Sequence, residues 1–287
     1  MSAPLVECEG LVYIYKTREL EVVALQGLDL HVDAGEMVAI AGRSGSGKTT
    51  LMNILAGVDA PAAGRAVVAG ADLTRMSEAQ RDRYRQETVG YLLQRSQANV
   101  MPELTAIENV RLATLTAGRA TRDRGRDVLS RLGLGGDRLH RKPGALTGGE
   151  KIRLALAVAV ANRPRLLLAD EPTAELDTAT AHSVLHDLAA LLDEIGTTAI
   201  FVTHDAELER FAGRVIQIRD GKTSTETRWS GGRDARVADE LVIMDRAGRI
   251  QLPRAYVEKL ALKERVRLRL ESDHIAILPP DSVDGGE

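Results

Sequence analysis

The sequence predicts an α/β fold with a small, mainly β domain at its end, and three observations carry that prediction. The apolar run Met37-Val38-Ala39-Ile40-Ala41 passes through a glycine loop into the helical stretch Thr50-Leu51-Met52-Asn53-Ile54-Leu55-Ala56, which Gly57 ends. Two more buried-strand runs, Leu166-Leu167-Leu168-Ala169 and Phe201-Val202, also stop at polar residues and alternate with helix-like segments. After residue 228 the chain turns polar and then resumes as short strands. Alternation of this kind builds an α/β core in which ligands sit at the carboxyl ends of the strands.

The glycine loop comes first. Gly42-Arg43-Ser44-Gly45-Ser46-Gly47-Lys48-Thr49 fits the phosphate-binding pattern G-x-x-x-x-G-K-[ST], with the preceding strand and following helix that the pattern requires. Glycines let backbone N–H groups turn inward around phosphate oxygens, and a helix N-terminus favours their charge. Gly42, Ser44, Gly45, Ser46, Gly47, Lys48, Thr49 and Thr50 therefore form the candidate binding set for a nucleoside triphosphate. Lys48 would reach the β- and γ-phosphates, and Thr49 would ligate Mg²⁺. The second strand ends in Asp170-Glu171-Pro172. Asp170 is placed to hold Mg²⁺ through its water shell, and Glu171 is the candidate base that polarises the attacking water. Asp-Glu-Pro is also an ordinary exit from a strand into a turn; the phosphate loop upstream favours the catalytic reading.

Between these two segments Leu146-Thr147-Gly148-Gly149-Glu150 opens a helical stretch. Taken by its residues alone it is a helix start, with Thr147 as N-cap and Glu150 at the third helical position. In order and spacing it resembles the signature of ABC-type ATPases, usually Leu-Ser-Gly-Gly-Gln. That resemblance implies a P-loop NTPase core of the ABC ATPase kind, with a helical subdomain over roughly residues 88–163. It also implies that Thr147, Gly148 and Gly149 cap the γ-phosphate of ATP held by a second copy of the chain, so that a monomer is nearly inactive. Other positions follow the family one at a time. Tyr15 matches the aromatic that stacks on adenine, with Tyr13 as the alternative. Gln94 matches the glutamine that senses Mg²⁺ and links to the membrane subunit. Asp177, in Ala174-Glu175-Leu176-Asp177, shapes the dimer contact, and His204 contacts the γ-phosphate. Lys48, Glu171 and His204 are all present, which implies an active ATPase using ATP and Mg²⁺. Glu150 departs from the usual Gln and brings an extra carboxylate; that Glu also occurs in DNA-repair and chromosome-maintenance ATPases and in some transporters.

The segments Leu11-Val12-Tyr13-Ile14-Tyr15-Lys16, Val23-Ala24-Leu25-Gln26-Gly27-Leu28, Tyr91-Leu92-Leu93-Gln94 and Met101-Pro102-Glu103-Leu104-Thr105-Ala106-Ile107-Glu108-Asn109-Val110 resemble the MacB/LolD/FtsE-like group. This group pairs with permeases of four transmembrane helices, of the FtsX/MacB type, and drives export or mechanotransmission. The resemblance implies a permease contact between Gln94 and Asn109, with residues 96–100 facing the partner, and a location on the cytoplasmic face of the cell membrane. The competing class is a soluble ABC ATPase acting on DNA or ribosomes. Against it, the interval from Lys48 to Leu146 holds no long coiled-coil insertion, a second phosphate loop is missing, and the chain has no zinc-type cysteine pairs.

Composition agrees. At 287 residues, 44% hydrophobic and 28% charged, the chain can bury a full core plus a small extra domain. Its net charge of −3 gives no electrostatic footprint for bulk nucleic acid, so nucleic acid is not expected as a partner. Cys8 is the single cysteine, which precludes an intrachain disulfide and suits a reducing compartment. The N-terminus lacks a signal-peptide pattern, and no run approaches the roughly 18 apolar residues of a membrane span. His182 and His186 stand four apart on a predicted helix, but no further ligand is nearby in the sequence.

The expected organisation is an ATPase domain over 1–228, a linker over 229–238, a small domain over 239–280 and a disordered tail over 281–287. In the small domain, Glu240-Leu241-Val242-Ile243-Met244 and Ile250-Gln251-Leu252 read as strands around a turn, and Pro253 opens a short helix. Val266 to Leu270 and His274 to Leu278 read as a final hairpin. Residues 245–254 resemble the AbrB-like swapped-hairpin fold, whose members form intertwined dimers and often bind DNA. Between Val237 and Pro280 eight Lys/Arg meet seven Asp/Glu, too small a surplus for a DNA surface. A domain this short gains most by pairing with its twin, so a dimerisation clamp is preferred over DNA binding.

Overall fold

The structure is a computed structural model that describes residues 4–16, 20–94, 96–116, 122–230, 237–245 and 247–279. The chain opens with β1 (Val6–Lys16) and β2 (Glu21–Val32), then β3 (Met37–Ala41), α1 (Lys48–Leu55), β4 (Ala63–Val68), β5 (Ala71–Asp72), α2 (Glu78–Glu87) and β6 (Val89–Leu92). A helical arm follows: α3 (Ala106–Thr116), α4 (Arg122–Arg131), a 3₁₀ turn at Gly136–His140, and α5 (Gly148–Val160). The core resumes with β7 (Leu166–Asp170), α6 (Thr178–Ile195), β8 (Thr198–Val202), α7 (Ala206–Ala212), β9 (Arg214–Arg219), β10 (Lys222–Ser230) and β11 (Val237–Val242). Last come α8 (Arg254–Lys259), β12 (Arg267–Leu270) and β13 (Ile275–Leu278).

The main sheet has seven strands in the order β11-β10-β9-β3-β8-β7-β6, with parallel pairing from β9 through β6. Its central strands β3, β7 and β8 read as nearly continuous apolar runs because both faces are covered. Alternate residues feed two separate cores. Ala39, Leu167 and Phe201 enter the one beneath the helical arm and α6. Val38, Leu168 and Ile200 enter the other, closed by α1 and the antiparallel sheet β2-β1-β4-β5. Cys8 is buried in that second core, where desolvation pushes its thiol up and leaves it unreactive. Parallel pairing brings the carboxyl ends of β3, β7 and β8 side by side, so the phosphate loop, the acid pair and His204 meet at one rim.

Three expectations change. Within the mostly helical region expected over 88–163, Val89–Leu92 is a strand paired parallel to β7, because Gly90 and Tyr91 sit in ladder register with Leu167 and Leu168. In place of the expected linker over 229–238, Trp229 and Ser230 belong to β10 and Val237 and Ala238 to β11, paired Trp229↔Ala238 and Ser230↔Val237. Residues 231–236 lie outside the described residues, as does the expected tail over 281–287. The strand expected at Glu240 to Met244 therefore begins earlier, at Val237, and extends the main sheet by antiparallel pairing with β10. Beyond it, Met244 bridges Ile250 around a turn in which Asp245 Oδ1 accepts the Ala247 and Arg249 N–H groups, both at 2.9 Å. β12 and β13 form the expected hairpin, with Leu270 opposite Ile275.

Candidate nucleotide site

The phosphate loop leaves β3 and turns into α1 at Gly47, whose φ of 105° lies in the left-handed region. A Cβ there would sit 2.7 Å from the Ala24 carbonyl oxygen and 2.8 Å from Leu25 Cδ2, so glycine alone lets the helix begin against β2. Lys48 Nζ donates to the carbonyls of Gly42 (2.7 Å) and Arg43 (3.0 Å), which arches the ammonium across the mouth of the loop. The turn between β9 and β10 braces the loop from behind, with Gly221 N–H donating to Ser46 O at 3.1 Å.

A cleft of about 750 Å³ lies in front of this loop. It is lined by Tyr15, Gly42, Ser44, Gly45, Gly47, Lys48, Thr49 and Thr50, and also by Gln94, Asp170, Glu171 and His204. Ser46 is buried behind the loop instead. Tyr15 Oη and Thr50 Oγ1 are 3.1 Å apart, whereas Tyr13 packs edge-on to Tyr15 and against the core. Between the two tyrosines, Tyr15 is the one at the cleft.

The acid pair occupies two environments. Asp170 is raised above the usual carboxylate range by burial first and by the adjacent Glu171 second, with Lys48 opposing. Glu171 adopts φ of 49°, a left-handed conformation that costs a non-glycine residue on the order of 1 kcal/mol or more. Its N–H donates to Val202 O at 2.8 Å, tying it to β8. Its Oε2 accepts from Thr203 Oγ1 at 3.3 Å, and its Oε1 lies 2.6 Å from His204 Nδ1. That hydrogen bond and the charge behind it raise the His204 pKa. Thr49, Gln94 and Asp170 supply oxygen donors to one cleft, a set that fits Mg²⁺, which takes one or two protein oxygens and keeps phosphates and waters for the rest.

A profile described as ABC transporter matches residues 25–174, more than half of the chain. The chain belongs to the ABC transporter family.

Relatives agree with the assignment. The chain is 42% identical over 224 residues to the lipoprotein-releasing system ATP-binding protein LolD 2 of Caulobacter vibrioides, covering 77% of this chain and 97% of that protein. It is 41% identical over 229 residues to the macrolide export ATP-binding/permease protein MacB of Rhodopirellula baltica, covering 78% of this chain but 33% of that one. The fold aligns with a dimeric, post-hydrolysis structure of the cassette MJ0796 bound to ADP and Pi, at a TM-score of 0.71 and 33% identity, over 79% of this chain and all of that one. This ABC cassette is thus an ATP-hydrolysing transporter subunit, and among its described residues no helix is long and apolar enough to cross a membrane.

The remaining predicted residues lie elsewhere on the cassette. Thr147, Gly148, Gly149 and Asp177 do not line the cleft. Thr147 N-caps α5 in a full capping box with Glu150, and Asp177 N-caps α6 through the Thr180 N–H. The two helix starts press together, because a Cβ on Gly149 would lie 2.6 Å from Thr180 Cγ2. Gly148 differs: an added Cβ meets nothing within 4 Å, so the chain's own packing does not require glycine there.

Sequence reasoning missed three groups. Thr203, fully buried, holds Glu171 and also accepts the Asp205 N–H at 3.0 Å. Asn99 and Asn109 hold the segment after Gln94. Asn99 bonds Leu93 N–H and Tyr91 O; buried Asn109 accepts Met101 N–H at 2.6 Å and donates to the carbonyls of Met101, Leu104 and Thr105. The only signal was the residue type, since asparagine carries a donor and an acceptor that match both backbone groups. Asn109→Ala is expected to destabilise the cassette by about 1–3 kcal/mol, because it removes a buried side chain that pairs one backbone N–H and three carbonyls of this segment; thermal unfolding measures it, and an unchanged midpoint would refute the clasp. His182 pairs with Glu207 at 2.8 Å, and no cluster of three metal-ligating side chains occurs among the described residues.

Proposed function

We propose that this cassette is the ATPase subunit of a transporter built with a separate permease of the FtsX/MacB type, driving export or mechanotransmission from the cytoplasmic face of the membrane. The observation that carries the reading is the division of the site: Lys48, Asp170, Glu171 and His204 share one cleft, while the signature residues Thr147 to Gly149 stand outside it. A second copy supplies the missing half, and the open space at Gly148 is where its bound nucleotide approaches. The dimeric state of the aligned MJ0796 cassette supports this arrangement. In the closed pair Lys48 and the loop amides hold the phosphates, Tyr15 stacks on the adenine, and Glu171 takes the proton of the attacking water. His204, held by Glu171, faces the γ-phosphate, and Gln94 links the cleft to the permease. Mg²⁺ held through Thr49, Asp170 and Gln94 would supply charge neutralisation for the phosphates. Exposed Leu93 and Met101 lie on either side of Gln94 and Asn99, and exposed Leu112 and Leu115 on α3, apolar side chains suited to a permease helix.

The same reading extends to the C-terminal module as an AbrB-like clamp that joins two copies. Half of the exposed large hydrophobic residues among the described ones fall in 241–275, including Met244, Leu268, Leu270 and Ile275. A two-stranded hairpin with both faces wet is not stable by itself, and a second copy would cover it. A chain ended after Ile243 keeps the β10–β11 ladder. It is expected to be monomeric without nucleotide where the full chain is dimeric, measured by light scattering; a truncated chain that stayed dimeric would remove the clamp. The transporter reading is tested by purifying Glu171→Gln with ATP from native membranes. A four-span permease should accompany it, whereas DNA or ribosomes without a membrane protein would favour the soluble class.

A further inference from the structure

Glu150 places a carboxylate at the end of α5 that, in the reading above, meets the γ-phosphate of ATP bound to a second copy; the inference here rests on that reading. Two anions at one helix terminus repel, and the macrodipole that favours one is divided between both. The structure shows how the Glu150 charge is held. Oε2 accepts the Thr147 N–H at 2.9 Å, closing the capping box, and Glu150 N–H donates back to Thr147 Oγ1 at 3.3 Å. Oε1 accepts from Arg138 Nε at 2.5 Å. Only 15% of the Glu150 side chain is exposed, so this ion pair is not a wholly solvated surface contact. The Thr147 N–H first, and Arg138 after it, hold the Glu150 carboxyl below the usual range against the opposing effect of burial.

Arg138 arrives on a fixed element. Its 3₁₀ turn is pinned by buried Leu139, by Arg141 N–H to Arg138 O at 3.2 Å, and by Ala106 N–H to Arg141 O at 2.9 Å. The guanidinium is therefore presented to the signature by the fold of the helical arm, twelve residues upstream in the chain.

We propose that Arg138 is a positioning residue for the signature: it engages the Glu150 carboxylate and so keeps the N-terminus of α5 attractive to the partner copy's γ-phosphate. Removing it leaves the Glu150 carboxylate with the Thr147 N–H alone and no cation to offset its charge beside the phosphate. A residue that only packs the 3₁₀ turn would be needed equally whether position 150 is Glu or Gln, and this difference separates the two roles.

The experiment is steady-state ATP hydrolysis by the full-length chain in a double-mutant cycle. Arg138→Ala is expected to lower kcat/KM by about tenfold with Glu at position 150 and by less than about twofold when Glu150→Gln is also present. Arg138→Lys, which keeps the charge, should retain most of the activity, and thermal unfolding of each variant separates loss of fold from loss of function. An equal loss in both backgrounds, or no loss in either, overturns the proposal. Gly148→Val tests the underlying reading separately, because a Cβ added there meets nothing within 4 Å in the chain itself, whereas an approaching partner would meet it. If Gly148→Val leaves hydrolysis intact, the two-chain site is wrong. If it abolishes hydrolysis while Arg138→Ala is neutral, only the role of Arg138 falls.

Discussion

Glu171→Gln is expected to bind ATP as the parent does and to hydrolyse it about 10²–10⁴-fold more slowly, the range for removing a positioned general base. The substitution keeps volume and shape, so the Thr203 hydroxyl and the His204 imidazole retain a partner, and the left-handed backbone at Glu171 is unchanged. What is lost is the ability to take a proton. Two measurements check it: phosphate release at saturating ATP, and nucleotide affinity by calorimetry. Turnover within about threefold of the parent would reassign the base. The same variant carries a second readout. Glu171 raises the His204 pKa through a hydrogen bond and its charge, so with a neutral Gln there His204 should titrate nearer its ordinary value, as followed by NMR.

Lys48→Ala is expected to weaken ATP binding on the order of 10²–10⁴-fold. Charge-assisted hydrogen bonds contribute about 1.5–3 kcal/mol each, and two phosphate contacts from one ammonium account for a change of that size. Lys48 also ties the loop to itself through the Gly42 and Arg43 carbonyls, so its loss loosens the cradle as well. Lys48→Arg should not restore binding, because a planar guanidinium cannot replace a compact ammonium in a loop built around it. Calorimetric titration with ATP distinguishes these outcomes, and an affinity within a few-fold of the parent would show that the loop amides carry the phosphate alone.

Much of the core and of the cleft was legible in the order of residues. The strand runs before Gly42, Asp170 and His204, and the helix starts at Lys48 and Thr147, depend on local pattern and turn chemistry, and the structure has them within a residue or two. The hairpin at the end of the chain was legible for the same reason, since Leu268 and Leu270 alternate with arginines and Ile275 to Leu278 run apolar. The linker was not. Residues 222–230 carry Ser, Thr and charge in a strand whose partner, β11, lies beyond a polar stretch, and composition alone does not reveal that pairing.

The sequence by itself determined the α/β core, the phosphate loop and the identity of the acid pair, because periodicity, glycine placement and strand ends are properties of short segments. Only the tertiary structure decided that Tyr15 and not Tyr13 lines the cleft, that His204 and Thr203 both hold Glu171, and that Asn109 clasps the segment after Gln94. It also decided that Arg138 reaches Glu150. Each of those contacts depends on where a side chain points once distant segments have packed, and a hydrogen bond that needs its partners within about 3 Å is set by that packing and not by spacing along the chain.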